Sequence, residues 1–276
     1  MPCAFGPFPG PRQTILGKPH TAWSAVHQRT ASIVFKASAK LCRTFLPTPS
    51  FILDVPGDVA YASLAITHLE NLPWLAGRGY NHYGLFVHDV ICTTGGEEIR
   101  GKFLIVLWEN LADPILSGRE ELGYSKLYAE LHEHYSPEEA SYSLNVAWLG
   151  TTFGTFTLDG LVDAAEGDSP PKTEFTPGKG ILHYKYIPKT GRPGEADAVY
   201  ATFSPATSGS QTVLRKVQVA KKASFAFQAR SWEELPTLFH ITSVLEGLKA
   251  ESIVTASISW AEGASDLSEH RIVGSS

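Results

Sequence analysis

A single lysine, Lys126, carries the clearest chemical signal in this chain. It follows Gly118-Arg119-Glu120 by six residues past the glutamate, and its neighbours are Tyr124, Leu127 and Tyr128. A lysine in such apolar company admits two readings. It is a surface side chain that snorkels from a strand end, or it is a desolvated amine. Burial lowers an amine's pKa and frees it to attack a carbonyl as a nucleophile. Other chemical patterns are sparse. No G-x-x-x-x-G-K-[ST], H-E-x-x-H or G-x-S-x-G occurs. His132 and His134 sit two apart in ELHEHYSPEE, a spacing that suits a shared metal on a strand, yet the acidic surroundings read as a solvated loop. Cys3, Cys42 and Cys92 are too widely spaced for a zinc site or a disulfide framework. Neither a metal nor a cofactor is expected.

The elements that must position Lys126 are mostly strands. Ser32–Lys36, Tyr61–Leu69, Gly84–Ile91, Lys102–Trp108, Tyr142–Ala147, Thr151–Leu158, Ile181–Ile187, Val199–Phe203, Val213–Ala220 and Ser252–Trp260 carry strand patterns. The apolar run Phe103–Trp108 suits a strand buried on both faces. Ala37–Phe45 reads as a short helix. A long helix is expected from Pro236 through Leu238, Ile241, Leu245 and Leu248. Ser169–Lys172 and Lys189–Asp197 read as turns. The fold class is mainly β, an antiparallel barrel or cone with one or two flanking helices. Residues 1–22 read as a disordered Pro/Gly-rich tail and 23–276 as one domain.

Composition narrows the function. The 276 residues are 43% hydrophobic and 18% charged, a globular balance. A net charge of −5 gives no support to nucleic-acid binding. The longest apolar run, Phe103–Trp108, falls far short of a membrane span of about 20 residues. The N-terminus lacks a secretory pattern, so a cytoplasmic location is expected.

The segment around Lys126 resembles the acetoacetate decarboxylase family. Gly118, Arg119, Glu120, Gly123, Tyr124 and Lys126 fall without a gap on that family's glycine-arginine-glutamate pattern leading to a Schiff-base lysine. Upstream, Tyr80–Val87 resembles its Y-x-E strand, and SIVFK, a helix and LPTP resemble its opening elements. The likeness spans about residues 25–262. It implies that Lys126 forms an iminium with a small keto substrate, that Glu120 and Tyr124 contact the substrate, and that the chain forms homo-oligomers. It also implies an arginine for the substrate carboxylate, for which Arg29 lies one residue off the expected place. Three departures stand out. Ser125 replaces the family's proline, Leu127 replaces a second lysine, and His82 stands where the catalytic glutamate belongs. Without the second cation, desolvation alone must lower the Lys126 pKa. With His82 as proton carrier, the same iminium serves aldol, dehydration or cyclisation steps on a polyketide-like substrate as well as decarboxylation of a β-keto acid. A non-catalytic barrel that binds an apolar molecule is the alternative. His68 and His88 read equally as catalytic groups or as satisfied histidines at strand ends.

Overall fold

Alternating apolar residues build most of the chain into strands. The structure, a computed structural model, describes residues 14, 16–18, 20–164, 180–206 and 212–275. The expected tail lies mostly outside the described residues, and Ser169–Lys172 wholly so. In chain order the elements begin with β1 (His27–Ser38), α1 (Ala39–Thr44), β2 (Phe51–Leu53), β3 (Val59–Glu70), β4 (Tyr80–Thr94) and β5 (Glu97–Glu109). Next come α2 (Ala112–Ser117), a π-helical turn over Gly118–Leu122, and β6 (Lys126–Tyr128). The middle of the chain supplies β7 (Glu130–Ser136), β8 (Ser141–Trp148), β9 (Thr151–Asp159), β10 (Val162–Asp163), β11 (Gly180–Pro188) and β12 (Ala196–Pro205). The remainder forms β13 (Val213–Val219), β14 (Lys222–Phe227), α3 (Phe239–Leu245), β15 (Ser252–Glu262) and β16 (Arg271–Ile272).

The chain is mainly β with few, short helices, as expected. The ladders form a large sheet in the order β10-β13-β15-β1-β3-β4-β5-β11-β12-β16, and a smaller one in the order β14-β9-β8-β7. The large sheet runs from β10 to β16 without joining its ends, so the expected closure into a barrel is absent among the described residues. Its apolar face is covered by the small sheet instead. Two pairings, β5 with β6 and β5 with β11, are parallel. The expected long helix is the seven-residue α3; Leu235, Leu238 and Leu248 are buried in the turns that flank it. The stretch expected as a solvated loop is β7, where His132 and His134 point outward while Glu133 turns in.

Strand parity decides what faces the small sheet. Ala31, Ile33, Phe35 and Ala37 of β1 share one face, as do Ala62, Leu64 and Ile66 of β3, and all are buried. Tyr83 and Trp108 join this core as a stacked pair, 5.8 Å between ring centres, with Trp108 also against Phe153. The opposite face carries Phe86, Leu104 and Leu107 as a separate apolar cluster.

β5 is irregular where it matters. Leu85 pairs with Val106 but Phe86 pairs with Leu104, so Ile105 is bulged out of the ladder. A bulge shifts the alternation by one residue. Leu104 therefore shares its face with Leu107 and Glu109, while Trp108 stays in the core. Without that shift, Glu109 would sit on the face opposite Leu104.

Candidate active site

β6 pairs with β5 in parallel, Leu107 opposite Lys126. This register points Lys126 into the face marked by Leu104 and Leu107. Leu127, one residue on, points the other way and packs near Val106, His240 and Leu245. A cation at position 127 would thus lie across the strand from the amine, in line with the side-chain period of two.

The residues before Lys126 form its cradle. A Cβ on Gly118 would lie 2.6 Å from Lys126 Nζ, so only glycine lets the lysine lie over the π-helical turn. Arg119 donates to the Lys126 carbonyl at 2.8 Å, fixing the strand that carries the amine. Gly123 adopts φ +80 and its Cβ would meet Lys185 at 2.6 Å, so glycine is needed twice over there. Ser125 Oγ donates to the Leu104 carbonyl at 3.1 Å and anchors the turn to β5.

Lys126 is 6% exposed and lies in a cavity of about 260 Å³, at the small end of ligand sites. Leu69, Leu72, Phe86, Leu104, Leu107 and Ile181 supply apolar wall, and Trp23, Trp74 and Leu267 come from flanking segments. The polar side chains that line it are Tyr80, His82, Glu109, Ser117, Tyr124, Lys126, Ser265 and His183. Lys126 Nζ donates to the Pro114 carbonyl at 2.9 Å and stands 5.2 Å from the centre of the Tyr124 ring.

An acidic partner that sequence reasoning did not single out is closest. Glu109 is fully buried, and its Oε1 stands 2.9 Å from Lys126 Nζ. The contact with Lys126 is the one polar interaction of this carboxylate among the described residues. Burial dominates both groups. It pushes the Glu109 carboxyl up and the Lys126 amine down, and their mutual attraction opposes each shift. The pair thereby approaches the state of neutral acid beside neutral amine, which is the nucleophilic form of lysine.

His82 sits directly across β4–β5 from Glu109. Burial, then the nearby Lys126 charge, pushes its imidazole down to about 3, so it is neutral. Its Nδ1 is buried without a hydrogen-bond partner among the described residues. His82, at the place where the family resemblance implies a carboxylate, thus has one opposite it on the neighbouring strand.

Of the residues singled out in the sequence, Lys126, His82 and Tyr124 meet in this cavity. Arg29 and Glu120 do not. Arg29 shares strand parity with Ala31 and Ile33, so it faces the small sheet and pairs with Glu133 at 3.1 Å. Glu120 is exposed on the outer side of the π-helical turn. His68 joins Arg29 at Glu133, and His88 contacts Ser63 Oγ at 2.9 Å. Glu109 left a trace in the sequence, as the carboxylate ending the apolar run FLIVLWE. His183 left none.

A buried amine, a buried carboxyl and a neutral imidazole around a small apolar cavity define a site for carbonyl chemistry. The chain belongs to the acetoacetate decarboxylase (ADC) family, whose model matches residues 2–256. No curated protein matches it by sequence. Among solved structures, an acetoacetate decarboxylase is similar at 14% identity and TM-score 0.60, over 92% of this chain and 90% of that one. An acetoacetate decarboxylase-like enzyme from Sphingomonas wittichii RW1 is similar at 15% identity and TM-score 0.56, covering 88% and 92%. The enduracididine biosynthesis enzyme MppR, complexed with the condensation product of pyruvate and imidazole 4-carboxaldehyde, is similar at 11% identity and TM-score 0.55, covering 91% and 90%. At these identities the likeness is one of fold.

Proposed function

We propose that the protein is a Schiff-base lyase in which Lys126 attacks a ketone and the iminium is used for aldol, retro-aldol or dehydration chemistry on an uncharged keto substrate. The observation that carries this reading is the Glu109–Lys126 pair in an apolar cavity. In it, Glu109 takes the proton that Lys126 must shed, then returns it to the carbinolamine hydroxyl, which leaves as water. The iminium withdraws electrons from the neighbouring carbon, and His82, which lines the same cavity, exchanges the proton there. The polarity of the cavity supports an uncharged substrate. Among the described residues Lys126 is its single cation, and Arg29 is committed to Glu133 on the other face.

Decarboxylation of a β-keto acid is the second reading. It draws on family membership and on Glu109, whose charge beside a substrate carboxylate would favour loss of CO₂. The two separate in one experiment, in which acetoacetate and a β-hydroxy ketone are supplied in parallel. Cleavage or dehydration of the hydroxy ketone without CO₂ from acetoacetate is expected; rapid CO₂ release would establish the second reading. Failure of borohydride to trap any carbonyl compound on Lys126 would remove both.

A further inference from the structure

On the side of β6 to which Leu127 points, away from the amine, lies a second hollow of about 360 Å³, within the size range of ligand sites. It opens between the end of α1, the strands β5 and β6, and α3. Phe45, Ile105, Leu127, Ile241 and Val244 converge on it, and none of them is buried; Val244 is 47% exposed. Five apolar side chains around one hollow leave wetted surface that an apolar occupant would cover.

Charge gives the groove a second character. Arg119 lines it and no carboxylate does among the described residues, in a chain whose net charge is −5. Arg119 Nη1 is engaged by the Lys126 carbonyl at 2.8 Å, while Nε and Nη2 have no partner among the described residues. Those two nitrogens form the edge of a guanidinium that takes a carboxylate through two parallel hydrogen bonds. Beside apolar walls such a charge-assisted pair is less screened than in open water.

We propose that this groove binds a small amphiphilic carboxylate, a medium-chain acid in size, with its tail along Leu127, Ile241 and Val244 and its head on Arg119. The occupant is not the substrate of Lys126, because the amine opens into the cavity on the other side of β6. It is nevertheless held by the same guanidinium that fixes the strand carrying the amine. The proposal stands apart from the Schiff-base reading and needs no carbonyl chemistry.

The experiment is equilibrium dialysis of the full chain against radiolabelled octanoate, beside octan-1-ol, which has the tail without the charge. One saturable site per chain is expected, about tenfold tighter for octanoate than for octan-1-ol. Arg119→Gln should remove that advantage and keep the affinity for octan-1-ol. Val244→Glu, at a half-exposed position of the groove, should weaken octanoate by about tenfold. His240→Glu, one turn away on the same face of α3, serves in its place if that variant fails to fold. Absence of saturable octanoate binding would overturn the proposal, and so would equal affinity for the two compounds. Undiminished binding in the glutamate variants would put octanoate in the catalytic cavity and overturn it too. If octanoate fails to bind and Val244→Glu lowers the sedimentation coefficient, the groove is instead a contact between copies of this chain. None of these arms uses a ketone, so their failure leaves the Schiff-base reading standing.

Discussion

Two clusters of acid and base lie on opposite faces of the large sheet, and they are built on contrary plans. Behind the sheet, Glu133 collects Arg29 at 3.1 Å, His68 at 2.9 Å, Asn81 Nδ2 at 3.2 Å and Tyr142 O–H at 2.7 Å. Burial opposes ionisation of Glu133, but the hydrogen bonds of His68 and Tyr142 and the Arg29 charge prevail and hold it at about 2. The bond from Glu133 lifts His68 to about 9 against its own desolvation. Both partners are driven toward charge. In the cavity, Glu109 and Lys126 have one close approach and few other partners, and burial drives both toward neutrality. An acid–base pair saturated with hydrogen bonds becomes a clamp, here joining β1, β3 and β4 to β7 and β8. One left unsaturated keeps its proton available for chemistry.

The contrast can be broken most severely at the amine. Lys126→Ala should abolish turnover and borohydride trapping, and Lys126→Arg should fail almost as completely, since a guanidinium stays protonated. Circular dichroism should remain native, and substantial turnover in either variant would refute the mechanism.

Exchanging the two glutamates for glutamine sharpens the comparison. Glu109→Gln should lower kcat by about 10²–10⁴-fold through loss of the proton carrier while leaving the urea midpoint nearly unchanged. Glu133→Gln should do the reverse, with turnover kept and about 1–3 kcal/mol of stability lost. Matching losses of activity and stability in both variants would erase the distinction.

A smaller effect is expected at His82. His82→Glu should add a carboxylate beside the substrate and raise CO₂ release from acetoacetate relative to hydroxy-ketone conversion, with His82→Ala lowering both. An unchanged ratio would remove His82 from the proton transfers.

The mildest test is pH. The depressed Glu133 pKa contributes stability that is present above the unfolded value, near 4.5, and is lost as pH falls toward about 2. The raised His68 pKa contributes stability that is full below about 6.5 and is lost as pH rises through about 9. Denaturation midpoints should therefore fall at both ends, and Glu133→Gln should flatten the alkaline limb.

Much of the site was legible because its cradle is local. Gly118, Arg119, Gly123 and Lys126 lie within nine residues, and each owes its type to a contact with the lysine or its turn. The core strands were legible wherever one face was polar. Glu109 was hidden because the bulge at Ile105 falls in a run, FLIVLW, with no alternation to reveal which side the next residue takes. His183 was hidden because it lies on β11, far along the sequence from Lys126, and only the fold brings it to the cavity. Arg29 and Glu120 failed for a related reason: adjacency to a motif does not fix the face of a strand or turn.

The wall around the amine draws on Trp23 and on Ala264, Ser265 and Leu267, some 240 residues apart. The dryness that pushes the Lys126 amine down therefore depends on segments at opposite ends of the sequence closing over one spot. Loosening residues 264–267 would let water reach the amine and return its pKa toward that of an ordinary lysine, so a change far along the chain would be read out at residue 126.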